Sequence, residues 1–324
     1  MAMSPENPLA LCRTFLFVAG AEEVALHAAL QTGADVLVQE LEDFTPPSKR
    51  AEARALSARV MDHWRECGRI TSVRINPFET CGHDDLSAVM VGRPAIIMMS
   101  KVESTEQMIE LDRQIARLES MLSIKHGSTL IVPNIETALG LVRVIDIAHS
   151  SPRIKGMLVA TEDMVADIGA GRSREGTELF YPRSRFLLEC AAAGVLAIDS
   201  PYTFADAEGA EADMRFARSI GYQAKGVVNP DHVAIANRYL TPTSADAELS
   251  VRQIAAFEQA ASRGQVRAEV DGLIVEVPSY LQSRRLLNRY EQLCAVQASR
   301  RGGALVRDAG VGAVFGNPSH AGNL

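Results

Sequence analysis

Along the first ~230 residues, short apolar runs rich in β-branched side chains alternate with longer stretches whose apolar positions recur every three or four residues. The short runs are TFLFV (14–18), DVLVQ (35–39), TSVRI (71–75), AIIMM (95–99), TLIVP (129–133), KGMLV (155–159), VLAID (195–199) and QAKGV (223–227). They are mostly continuous rather than alternating, as expected of strands buried on both faces. The stretches 48–66, 104–122, 137–148, 183–193 and 206–220 are each long enough for a crossover helix, and crossovers of that length join parallel strands. Eight such units predict an α/β fold, a (β/α)8 TIM barrel over residues 1–240, with a doubly wound open sheet as the alternative. QAKGV is the weakest of the eight strands.

Past residue 240 the pattern changes. Residues 243–264 and 279–300 read as two helices joined by the hairpin-like VRAEVDGLIVEVPS, so 241–300 is expected to form a C-terminal helical lid segment. Residues 301–324 are Gly-rich and aperiodic, the pattern of a mobile or partner-docked tail. With 324 residues, 47% of them hydrophobic, the chain can bury a large core. No apolar run reaches the ~18 residues of a membrane span, and the first residues lack a basic segment and a cleavage site, which points to the cytoplasm. A net charge of −7 without a Lys/Arg block argues against nucleic acid and membrane surfaces. Cys12, Cys67, Cys81, Cys190 and Cys294 never form a C-x-x-C pair, which fits reduced thiols better than a zinc site. GAGRSREG (169–176) lacks dinucleotide-loop spacing and reads as a flexible loop.

In a parallel barrel the chemistry gathers where the strands end. Strand 2 is followed by Glu40, Glu42 and Asp43; strand 3 carries Arg74 and then Asn76; strand 4 leads to Lys101 and Glu103. Strand 5 leads to Glu136, strand 6 to Glu162 and Asp163, and strand 7 ends in Asp199. So many acids at one mouth repel each other unless a cation lies among them. An all-oxygen set suits a hard ion, Mg²⁺ before Mn²⁺ or Ca²⁺. The plain alternative is that NIET and ATED supply helix N-caps. Arg74 lies in an apolar run, where a bare guanidinium is unfavourable without a carboxylate or an anionic substrate beside it.

The motifs RTFLFVAG, QELEDFTPPSKRAEAR, VRINP, SKVES, NIETALGL, ATEDMVADIGA, VLAIDSPYTF and GYQAKGVVNPDHV, in that order, resemble the HpcH/HpaI aldolase/citrate lyase family, in its citrate lyase β-subunit-like branch. The likeness runs from Arg13 to about Asn237. It implies a TIM barrel, Mg²⁺ dependence, a homotrimer or hexamer, and cleavage or formation of a carbon–carbon bond beside an acyl-CoA thioester. By the same resemblance Glu136 and Asp163 hold the metal, and Arg74 clamps the carboxylate of a 2-oxo acid such as oxaloacetate or glyoxylate. Glu42 and Asp43 hold metal-bound water, and Arg13, Asp199 and Pro201 join Arg74 around the substrate. The acid/base aspartate of the C-terminal segment, offered to a neighbouring subunit, is replaced here by Glu276 in DGLIVEVP. Other departures are Ala19 in LFVAG, Glu40 in ELED and Asn229 before Pro230. Two further outcomes stay open: a class II 2-oxo-acid aldolase or decarboxylase that uses no CoA, and a weakly active oligomeric binding subunit.

Overall fold

The computed structural model describes residues 7–311, with side chains to residue 298. The chain divides into two compact units, Met1–Leu240 and Thr241–Leu324. In the first unit β1 (Thr14–Ala19), β2 (Val36–Glu40), β3 (Ile70–Ile75), β4 (Ile96–Met99), β5 (Leu130–Ile135), β6 (Gly156–Val159), β7 (Leu196–Asp199) and β8 (Ala224–Val227) form a closed barrel in chain order. Every neighbouring pair is parallel, including β8 with β1. The expected (β/α)8 barrel is therefore the fold, and the open-sheet alternative is excluded.

The connecting helices are α1 (Glu23–Ala28), α2 (Arg50–Glu66), α3 (Gly82–Val89), α4 (Thr105–Met121), α5 (Ala138–Leu141), α6 (Val144–His149), α7 (Thr161–Asp167), α8 (Phe180–Ala193), α9 (Ala207–Ile220) and α10 (His232–Leu240). Their starts follow local chemistry. Ser104 and Gln107 close a capping box on α4, and Asp206 caps α9 through the Gly209 N–H. The stretch 137–148, expected as one helix, is two short ones, α5 and α6.

Successive strand residues fall alternately into two apolar clusters, as the period of two requires. Phe15, Phe17, Val38, Met98, Val132 and Ile198 fill the barrel interior. Leu16, Leu37, Val73, Ile97, Val159 and Ala197 face the helices. β5 runs through Pro133, where the apolar pattern stops. Proline removes a donor but leaves the carbonyl side of the strand intact. Val102 N–H donates to the Asn134 carbonyl and Ala160 N–H to that of Ile135.

In the second unit α11 (Ser244–Ser262) starts from a Thr243–Asp246 capping box. β9 (Ala268–Val270) and β10 (Leu273–Val275) form an antiparallel hairpin whose turn, Asp271 at φ 53° and Gly272 at φ 78°, has the positive angles that tight hairpins favour. α12 (Val277–Val311) then continues through 301–311, the start of the expected tail. Gly302 and Gly303 weaken helical propensity by only ~1 kcal/mol each. Residues 312–324 lie outside the described residues. Among the described residues no helix is long and apolar enough to cross a membrane, and all five cysteines are free of disulfides.

Candidate active site

Arg74 anchors the barrel mouth. It points inward from β3, in register with Glu40 of β2. Its Nε donates to Glu40 Oε1 at 2.9 Å, its Nη2 lies 3.3 Å from Glu42 Oε2, and its Nη1 lies 3.9 Å from Glu136 Oε1. The Phe17 and Phe44 rings flank the guanidinium at 5.2 and 5.6 Å. Glu40 is fixed in turn by the backbone N–H groups of Glu42 and Phe44, each donating at 2.7 Å. Lys101, after β4, places Nζ 2.5 Å from Glu42 Oε1 and 3.8 Å from Asp43 Oδ1. Its backbone is left-handed (φ 54°), a strained state for a side-chain-bearing residue and one that concentrates at functional sites. Gly20, at the end of β1, lets the mouth close: a Cβ there would come within 2.5 Å of the Glu40 carbonyl oxygen.

The cluster has more negative charge than its cations satisfy. Both Glu136 carboxylate oxygens are buried without a hydrogen bond, and so is Glu42 Oε2, whose approach to Arg74 is an ion contact without hydrogen-bond alignment. Burial, opposed by Arg74 and reinforced by Glu42 and Asp163, pushes the Glu136 carboxyl up to about 8. Burial also raises Glu42, against the pull of Arg74 and Lys101. Burial alone would lower Arg74, but Glu40, Glu136 and Glu42 more than offset it and hold the guanidinium firmly protonated. A buried carboxylate with two unused oxygens and a second carboxylate acting on it fits a small divalent cation. Mg²⁺ characteristically takes one or two protein carboxylates and completes its shell with water and substrate. Among the described residues no three His, Cys, Asp or Glu side chains form a ready-made cage.

The residues singled out in the sequence divide by location. Arg74, Glu42, Asp43 and Glu136 form this cluster, and Asp163, half-buried in the first turn of α7, acts on Glu136 electrostatically. Neither proposed ligand is a helix cap: Thr137 caps α5, and Ala160 precedes α7 with no side-chain cap. Pro201 is partly buried in the loop after β7.

Two placements correct the expectation of substrate contact. Arg13 precedes β1, at the barrel end away from the mouth, where its Nε donates to Asp35 at 2.9 Å. Asp199 does end a strand, but it follows the inward Ile198 by one residue and so faces the helices. There it accepts from Arg183 Nε at 2.8 Å, Arg183 Nη2 at 2.5 Å and Lys225 Nζ at 2.7 Å. Asp213 of α9 completes that outer cluster, accepting from Arg183 at 2.7 Å and lying 2.6 Å from Lys225. Glu276 belongs to the second unit, exposed between β10 and α12.

Glu40 and Lys101, read at the strand ends without an assigned role, join this cluster, whereas Asn134 was not singled out in the sequence. Glu40 had a legible signal, a second charge in a neighbouring strand at the height where Arg74 needs a partner. A cavity of about 650 Å³ between α8 and α9, walled by Phe180, Tyr202 and Phe216, is separate from this mouth cluster.

A closed (β/α)8 barrel with a carboxylate-rich, arginine-anchored mouth defines the class of protein. The model of the HpcH/HpaI aldolase/citrate lyase family matches residues 13–230, and the chain belongs to that family. The citrate lyase subunit beta of Escherichia coli (strain K12) is 29% identical over 281 residues, covering 86% of this chain and 93% of the relative. A (3S)-malyl-CoA thioesterase of Cereibacter sphaeroides is 31% identical over 289 residues, covering 89% and 97%. Among solved structures, Mycobacterium tuberculosis CitE in complex with magnesium, acetoacetate and coenzyme A has a TM-score of 0.70 at 26% identity, covering 87% of this chain and 99% of that one. The citrate lyase beta subunit of M. tuberculosis complexed with oxaloacetate and magnesium has a TM-score of 0.59 at 26% identity, covering 72% and 98%.

Proposed function

We propose that this chain is a Mg²⁺-dependent carbon–carbon lyase, cytoplasmic and homo-oligomeric, that cleaves or forms a citryl- or malyl-type acyl thioester. Its products are a 2-oxo acid, oxaloacetate or glyoxylate, and an acyl-CoA. The observation that carries this reading is the buried, unpartnered Glu136 carboxylate beside Arg74. Glu136 and Asp163 would hold Mg²⁺, which when bound would supply a Lewis acid for the oxygens of the oxo acid. Glu40 holds Arg74 by Nε, which leaves the two Nη groups to bind the substrate carboxylate as a fork. Glu42, Asp43 and Lys101 order water at the rim. As the carbon–carbon bond breaks, its electron pair passes to the thioester α-carbon as an enolate, the substrate hydroxyl gives its proton to water ordered at the rim, and the oxo group forms. Glu276, offered to a neighbouring copy, returns a proton to the α-carbon.

Titration calorimetry with oxaloacetate, with and without Mg²⁺, tests the reading. Metal-dependent binding that Glu136→Gln or Asp163→Asn abolishes is the expected result; no binding in either condition overturns it. A second reading, a 2-oxo-acid aldolase or decarboxylase that uses no thioester, would use the same Arg74 and Glu136. Micromolar binding of coenzyme A decides for the lyase.

A further inference from the structure

The two proposed metal ligands stand on supports of unequal strength. Glu136 directly follows β5, which its ladders to β4 and β6 hold in place. Asp163 rides on the first turn of α7, a helix of seven residues with no side-chain cap at Ala160. A helix that short is marginal by itself, so its place is set by what ties it to the barrel. At its far end Asp167 accepts from the Ala138 N–H at 2.7 Å, two residues past Glu136. At its near end the tie runs through Glu162, the neighbour of Asp163. Glu162 Oε1 accepts from Arg172 Nε and from Thr203 Oγ1, each at 2.9 Å.

Arg172 belongs to 169–176, the segment whose composition reads as a flexible loop, and it joins that loop to two others. Its Nη1 donates to Glu178 Oε1 at 3.1 Å, just before α8, and its guanidinium lies 5.2 Å from the centre of the Phe204 ring, in the loop after β7. Glu178 is held in turn by the Ser173 N–H at 2.9 Å and the Ser173 hydroxyl at 2.5 Å. Burial would raise Glu178, but the Ser173 donors and Arg172 outweigh it and bring its carboxyl down to about 2, so this anchor stays charged. The Arg172 side chain is 17% exposed against 46% for Glu162. The arginine is therefore the fixed member of the pair, and the start of α7 is what it holds. We propose that Arg172 is a positioning residue for the metal site: by bracing Glu162 against Glu178 and Phe204 it fixes the first turn of α7 and with it the Asp163 carboxylate. The inference rests on the reading that Asp163 holds Mg²⁺, and it assigns the support which that reading leaves open.

Calorimetric titration of Mg²⁺ into the full chain, at a fixed concentration of oxaloacetate, tests it. Arg172→Met should weaken Mg²⁺ binding at least about tenfold, the usual scale for a group that orients a metal ligand from behind. Charge alone predicts the opposite sign, because removing a cation near the mouth favours a second cation there. In metal-free buffer the same variant should lower the Tm by no more than about 4 °C, as for a partly exposed ion pair. Glu162→Ala, which keeps a good helix former in α7, should weaken Mg²⁺ binding to a similar extent. Adding Arg172→Met to Glu162→Ala should then cost less than about a further twofold, since both act through one contact. Unchanged or tighter Mg²⁺ binding by Arg172→Met overturns the inference alone, and so does a loss that persists in full beside Glu162→Ala. A larger fall in Tm would show that Arg172 holds the fold rather than the ligand and would also overturn it. Failure of the unmodified protein to bind Mg²⁺, or binding that survives Asp163→Asn, overturns it together with the functional reading beneath it.

Discussion

The barrel contains two buried ionic clusters at the ends of its strands, and they are built in opposite ways. The outer one, Arg183, Asp199, Lys225 and Asp213, matches two cations with two anions at 2.5–2.8 Å, leaves only Asp213 Oδ2 in ion contact without a hydrogen bond, and joins β7 and β8 to α8 and α9. The inner one gathers Glu40, Glu42 and Glu136 around Arg74, with Lys101 at the edge, and leaves three carboxylate oxygens without a hydrogen bond. Apart from Lys101 and Asp213, the side chains of both are buried. What separates scaffold from site is charge balance: a cluster whose cations match its anions holds elements together, and one with surplus buried carboxylate is shaped for a cation that arrives.

The sharpest way to break this contrast is thermal melting of paired variants. Asp199→Asn leaves Arg183 and Lys225 with Asp213 alone; removing one partner from a buried ion cluster costs about 3–5 kcal/mol, a Tm fall of about 10 °C in a unit of this size. Glu136→Gln, equally buried, should stay within about 1 kcal/mol of the unmodified protein in metal-free buffer at pH 7, since a carboxyl pushed up to about 8 is largely uncharged there and has no hydrogen bond to lose. Equal losses at the two positions would erase the distinction. Arg74→Ala comes next, at about 3 kcal/mol in metal-free buffer. Mg²⁺ should recover part of that loss by replacing the missing positive charge, and no recovery would count against the metal assignment.

A pH titration sharpens the comparison on the outer side. Burial opposes ionisation of Asp213, but Lys225 and Arg183 outweigh it and hold its carboxyl below the usual aspartate value. A depressed carboxylate contributes stability that is present above its unfolded pKa and is lost as pH falls through its folded one. Denaturant melts should thus lose stability below about pH 4, and Asp213→Asn should flatten that acid limb. The smallest effect belongs to Lys101→Met, whose side chain is 42% exposed: about 1 kcal/mol or less, read by the same melts, with a larger change in substrate affinity.

Much of this was legible in the order of residues. All eight strands fall within two residues of their apolar runs, because a strand buried on both faces has to be apolar throughout. Arg74 stood out for the converse reason, a charge where only a partner could justify one. Asp199 misled because a strand end fixes which end of the barrel a residue occupies but not which face it takes. Lys225 inside β8 held the missing clue: a lysine buried there requires an outward acid. Arg13 shared its motif with β1 but sits one residue before the strand, at the other end of the barrel. Asn134 was hidden by Pro133, which seemed to end β5 before its last two residues. That its amide is buried without a hydrogen bond is a property of three-dimensional neighbours that no local pattern records.

The alternation along each strand has a practical consequence for redesign. Positions 72, 74, 134 and 136 can be varied in a combinatorial library while their sequence neighbours Val73, Ile75 and Ile135 keep the contacts to the helical shell. Insertions and deletions behave differently: one residue lost from β5 before Asn134 would turn the carboxylate of Glu136 into the helix layer and Ile135 into the mouth. New activities on this barrel are therefore more accessible by substitution than by changes in strand length.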